Sequence, residues 1–154
     1  MTQHKAPHLF LFKQGIWIGE GKIVFTASPD ELTFYTKWQR KPSERDEEVR
    51  CLQQVEMNGV DDKVENHFRF FDISTRDFQV ELHNELVGHV IGKGVYSDKE
   101  VAWEFRGHPS FEGFEVYHLR DDGDWSVHAE FASPDQFRTV INGRVWKMTE
   151  DAKA

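Results

Sequence analysis

The sequence predicts an all-β fold: an antiparallel up-and-down β-barrel of about ten strands, with a short N-terminal helix or turn. Three observations lead there. Apolar and polar residues alternate with period two through almost every segment. Turn-forming residues interrupt that alternation about every ten residues. Helical periodicity is not sustained anywhere over about a dozen residues. Antiparallel strands in this number leave sheet edges to protect, and closing the sheet removes them.

The elements follow in order. Ala6 to Gln14 is the one candidate for a short helix, capping one end of the barrel. The first strand, 15–26, organises the rest. Side chains alternate between faces along a strand, so Trp17, Gly19, Gly21, Ile23 and Phe25 share one face. An indole can plug a barrel end, and glycines two apart make room for facing side chains and sharp bending. Ser28-Pro29-Asp30 turns the chain into strand two, 32–41, with Leu32, Phe34, Thr36, Trp38 and Arg40 together. A charged loop from Lys41 to Glu48 leads to strand three, 49–57, with Val49, Cys51, Gln53, Val55 and Met57 on one face. Asn58-Gly59 is a hairpin signal, because both residues tolerate positive φ. Strand four, 64–72, sets Val64, Asn66, Phe68 and Phe70 against Glu65, His67 and Arg69.

The second half repeats the pattern. Strand five, 77–86, groups Phe78, Val80, Leu82 and Asn84; strand six, 88–97, carries Gly88, Gly92 and Gly94. Strand seven, 101–106, holds Val101, Trp103 and Phe105, and Gly107-His108-Pro109-Ser110 reads as a loop. Strand eight, 113–120, has two faces: Phe114, Val116, His118 and Arg120 on one, Glu115, Tyr117 and Leu119 on the other. Asp121-Asp122-Gly123-Asp124 is a strong turn before strand nine, 125–131. There Trp125, Val127, Ala129 and Phe131 oppose Ser126, His128 and Glu130. Ser133-Pro134-Asp135 leads into strand ten, 137–148, where Asn142-Gly143 is either a bulge or a second hairpin. One domain over residues 1–154 is expected, with a frayed tail from Thr149 to Ala154.

Composition narrows the function. With 13 Phe and 5 Trp among 154 residues, a few bulky rings carry most of the buried area. A net charge of −8 argues against nucleic acid, which needs a basic surface, and against anionic lipid. The single cysteine, Cys51, allows no internal disulfide and points to a reducing compartment. The apolar run Leu9 to Phe12 is too short for a signal-peptide core or a membrane span. A cytoplasmic location without membrane insertion is expected.

The start Phe12…Gly15-x-Trp17, the strand count, the length and the lack of cysteine pairs resemble the calycin group of lipocalins and cytosolic fatty-acid-binding proteins. Gly15-x-Trp17-x-Gly19-x-Gly21 is also similar to the opening of nitrobindin-like haem barrels. Phe131-Ala132-Ser133-Pro134 followed by Phe137-Arg138 resembles bilin-lyase barrels of the same group. The resemblance implies a lumen that holds one small hydrophobic or amphipathic molecule. In fatty-acid-binding proteins an arginine–tyrosine arrangement on late strands holds the carboxylate, and here those strands offer Tyr117, His118, Arg120, Arg138 and Arg144. A nitrobindin-like site would need a late iron-binding histidine. Strand ten has none, so neither haem nor another cofactor is expected.

The candidate ligand-binding set is therefore Trp17, Phe34, Trp38, Phe68, Phe70, Trp103, Tyr117, His118, Arg120 and Arg138, with Phe78 and Trp125 in the same aromatic lining. Arg106 and Arg144 are further cations that could orient an acidic head group. If Phe114, Val116 and His118 point inward, His118 is the best buried imidazole and the one catalytic candidate. Glu104 and Glu130 could meet across neighbouring strands. His4 and His8 sit near each other at the start, whereas His83 and His89 belong to different strands, so no metal site is expected. A small-molecule carrier is the leading expectation, ahead of a calycin-type isomerase, cyclase or lyase. A filled barrel acting through protein contacts and a homodimer are further alternatives. Strand register decides which face points in.

Overall fold

A computed structural model describes residues 10–26, 30–43, 47–61, 63–109, 111–132 and 138–148. Ten strands are present among the described residues. They are β1 (Ile16–Phe25), β2 (Glu31–Lys41), β3 (Val49–Met57), β4 (Val64–Phe71) and β5 (Asp77–Asn84), then β6 (Gly88–Tyr96), β7 (Glu100–His108), β8 (Phe111–Leu119), β9 (Trp125–Ala132) and β10 (Arg138–Lys147). Each pairs antiparallel with its sequence neighbour, and β1 pairs with β10 to close the barrel. No helix among the described residues is long and apolar enough to cross a membrane.

The alternation in the sequence becomes the wall of the barrel. Trp17, Phe34, Trp38, Phe68, Phe70, Phe78, Trp103, Phe105 and Trp125 all turn inward and are buried. Strong twist brings neighbouring backbones close, and glycine accommodates this. A Cβ on Gly94 would lie 2.3 Å from the Phe78 ring, and one on Gly113 would lie 2.2 Å from the Phe131 ring. Each glycine thus seats an aromatic ring from a neighbouring strand.

Both short turns behave as their residues suggest. Gly59 has φ +84° beside the Val60 N–H to Met57 C=O bond, and Gly123 has φ +93° beside its own bond to Arg120 C=O. Other expectations change. Asn142-Gly143 forms neither a bulge nor a hairpin: Asn142 pairs with Lys22 and His128, and Gly143 pairs with Gly21 and Val127, inside an unbroken strand. The loop placed at 107–110 is shorter, because β7 continues to His108 and β8 begins at Phe111, with a register shift between Phe105 and His108. Residues 10–14 are bends rather than helix. The remaining helix candidates Ala6 to Leu9, His4 and His8 lie outside the described residues, as do the turn residues 27–29, Ser133 to Phe137 and the tail from Thr149.

Candidate functional site

One end of the barrel is stoppered by the chain's own N-terminal segment. Phe10, Leu11 and Phe12 are buried. The Phe10 ring lies 5.0 Å from Trp17 and 5.0 Å from Tyr117, between Trp38 and Trp125 at 5.9 Å each. Phe12 meets Phe70, Phe78 and Tyr96 at 5.4–5.8 Å, mostly edge to face, the arrangement aromatic quadrupoles favour. Arg40, at the inward end of β2, donates from Nη1 to the Phe12 carbonyl at 3.0 Å and fixes the plug.

Beside this plug the interior turns polar. Glu115 on β8 is buried and accepts from the Tyr117 hydroxyl at 2.8 Å. Burial pushes its carboxyl up to about 7, against the opposing pull of the Tyr117 and Trp103 donors. Tyr117 is raised in turn by burial and by the neighbouring Glu115 charge. The indole N–H groups of Trp17, Trp38 and Trp103 are buried without a partner of normal hydrogen-bond geometry. On the facing wall a chain of amides runs across four strands. Gln53 donates to Thr36 Oγ1 at 3.1 Å, Asn66 to Gln53 Oε1 at 3.0 Å, and Asn84 to Asn66 Oδ1 at 2.9 Å. Asn84 Oδ1 then accepts from the backbone of Leu86 and Val87, which ties the chain to the β5–β6 turn.

The opposite end differs. Inward residues there, including Phe111 and Phe131 on one side and Leu32, Met57 and Ile141 on the other, are only half-buried. An interior with an aromatic floor, one buried acid and a polar ladder has the chemistry to receive an elongated molecule with a polar end.

Neither a protein-family model nor a curated protein matches the sequence. Among solved structures, an S-type phycobiliprotein lyase from Guillardia theta superposes with a TM-score of 0.65 over 89% of each chain, at 7% identity. The barrel is calycin-like. At that identity the likeness speaks for the fold alone.

Within the calycin-like barrel the expected site residues divide. Trp17, Phe34, Trp38, Phe68, Phe70, Trp103 and Tyr117 face the lumen together. His118, Arg120 and Arg138 do not. Tyr117 and His118 are consecutive on a strand, so only one can point in, and it is Tyr117. The His118 side chain is 58% exposed and faces Glu100 at 3.6 Å. Arg120 pairs with Asp122, and Arg138 with Glu130 at 2.7 Å. The further candidates Arg106 and Arg144 also sit outside, near Glu104 and Asp124. Glu104 and Glu130 do not meet, because Phe114 on β8 pairs with both and stands between them. Sequence reasoning missed Glu115 and the amide ladder. The signal was present: each is a polar residue inside an otherwise apolar alternate row.

The outer wall carries its own concavity. A groove of about 630 Å³ crosses β5 to β8, floored by Val95, Ala102, Phe114 and Val116 and edged by Asp77, Lys93 and Glu104. The inward residues of the intervening row, Phe78, Gly94, Trp103 and Glu115, also border it.

Proposed function

We propose that the chain is a barrel that holds one amphipathic small molecule in its lumen, with the ligand's polar end set against Glu115 and Tyr117. The observation that carries this reading is the buried Glu115 carboxyl, whose one hydrogen bond of normal geometry comes from Tyr117, among indole N–H groups that make none of that geometry. A buried polar group left unpaired costs about 1–3 kcal/mol, so ligand atoms that complete these contacts gain affinity where water gains little. Apolar ligand surface adds roughly 25 cal/mol per Å² buried. The phycobiliprotein lyase that shares the fold puts bilins first among probes, followed by fatty acids. Cys51 is not a candidate nucleophile, since burial pushes its thiol up to about 12. Its unpaired state fits a cytoplasmic location.

The test is mass spectrometry of an organic extract from natively expressed protein, with a Glu115→Gln chain in parallel. A stoichiometric small molecule in the parent and a reduced amount in the variant are expected. Equal loading of both would remove Glu115 from the site.

A second reading is an enzyme of the same lumen. It is favoured by the Glu115 carboxyl, held near neutrality where general acid–base groups work best. It requires turnover of the extracted molecule to vanish in Glu115→Gln while binding persists. Unchanged turnover would leave the carrier reading.

A further inference from the structure

The barrel's outer wall brings together three histidines that are far apart in sequence. His67 on β4 pairs in register with His83 on β5, and His83 pairs with His89 on β6. All three are exposed. The His83 and His89 rings lie 4.2 Å apart and 10° from parallel, and the His67 ring is 6.1 Å from that of His83. β4, β5 and β6 are consecutive hairpin neighbours, and the register of their pairing sets the three histidines in one row.

A second feature separates this row from a chance cluster. His89 Nδ1 is 2.9 Å from Glu81 Oε2, and the other Glu81 oxygen is held by Arg69 Nε at 3.0 Å. A carboxylate on one ring nitrogen fixes the tautomer with the proton on Nδ1 and turns the Nε2 lone pair outward. Metal-bound histidines use this arrangement. The exposed His118 also faces a carboxylate, but no second histidine stands in register beside it.

We propose that His83 and His89 form a surface site for a borderline divalent transition-metal ion such as zinc. His67 supplies a third imidazole after side-chain rotation, and Glu81 acts as a positioning residue. Among the described residues no three His, Cys, Asp or Glu side chains already converge on one point. The lone pairs of the stacked His83 and His89 rings run parallel, so one ring turns about its side-chain bonds to bring both nitrogens onto the ion, and water completes its shell. Imidazole nitrogen suits zinc, copper and nickel over calcium or magnesium. The net charge of −8 also draws cations to the surface.

The experiment is calorimetric titration of the full chain with zinc, with His83→Ala/His89→Ala and His4→Ala/His8→Ala chains in parallel. One zinc per chain is expected. Affinity should fall at least tenfold in the first variant and stay unchanged in the second. Near-UV circular dichroism should show that each variant remains folded. Glu81→Ala should weaken binding about ten- to hundredfold, the usual range for a carboxylate behind a ligating histidine. Glu81→Gln should cost less, because its amide oxygen still accepts from Nδ1. Loss of zinc binding only with His4 and His8, affinity unchanged in His83→Ala/His89→Ala, or no binding at millimolar zinc would each overturn the proposal.

Discussion

Glu115 concentrates the chemistry of this protein in one side chain. Its carboxyl rises from the ordinary value near 4.5 to about 7, chiefly through burial, with the Tyr117 and Trp103 donors pulling the other way. The folded chain thus keeps a proton that the unfolded chain releases above about pH 4.5. This group's contribution to stability is full below that pH and is lost as pH rises through about 7. The shift corresponds to roughly 3 kcal/mol. Glutamine cannot ionise but still accepts from Tyr117. Urea unfolding of Glu115→Gln against the parent should therefore show a gap in the variant's favour that grows between about pH 5 and 8 and approaches ~3 kcal/mol at the upper end. A gap constant across that range would mean that Glu115 does not titrate in the fold. Outside the lumen the sign is the same for a different reason. His128 is raised by its bonds to Asn142 and Glu130, so it favours the fold at low pH and loses that effect as pH rises through its folded value.

The elements show what holds the barrel and how far the sequence revealed it. Removing the Phe10 ring opens a cavity among Trp17, Trp38, Tyr117 and Trp125. Phe10→Ala should cost about 3–5 kcal/mol in chemical unfolding, the range for a buried aromatic ring. Gly94→Val forces a side chain into the Phe78 ring and the Ala102 carbonyl, at 2.3 and 2.6 Å from the new Cβ, and should cost at least about 1–3 kcal/mol. A change under about 0.5 kcal/mol in either would contradict the packing described. The strands were legible because a two-residue period survives any reasonable choice of boundary. β3 begins and ends where the alternation does, at Val49 and Met57. The inward face of β8 was not legible: Phe114, Val116 and His118 make as plausible a row as Glu115, Tyr117 and Leu119. Closure settled it, by requiring β8 to turn in step with Trp103 on β7 and Ala129 on β9. The N-terminal plug was half legible. A cap at one end was expected from 6–14, but bends rather than a helix place Phe10 and Phe12.

At the scale of the whole molecule, the barrel is asymmetric along its axis. One end is filled by the chain itself, and at the other Phe111, Phe131 and Ile141 are only half-buried. The outer wall offers a competing site, the groove floored by Val95, Ala102, Phe114 and Val116. Its Val95 and Phe114 are 58% and 36% exposed. A molecule in the lumen and one on the wall respond to different substitutions. Tryptophan fluorescence responds to both, because Trp17, Trp38, Trp103 and Trp125 face inward, Trp103 also borders the groove and Trp146 lies on the outer wall, so the substitutions separate the two sites. The decisive measurement is titration of the chain with a panel of bilins and fatty acids, read as tryptophan quenching, for the parent, for Ile141→Trp at the mouth and for Phe114→Ser on the wall. The lumen account predicts saturable one-to-one binding of at least one probe, weakened at least tenfold by Ile141→Trp and unaltered by Phe114→Ser. No binding across the panel, or binding lost with Phe114→Ser and kept with Ile141→Trp, would contradict it.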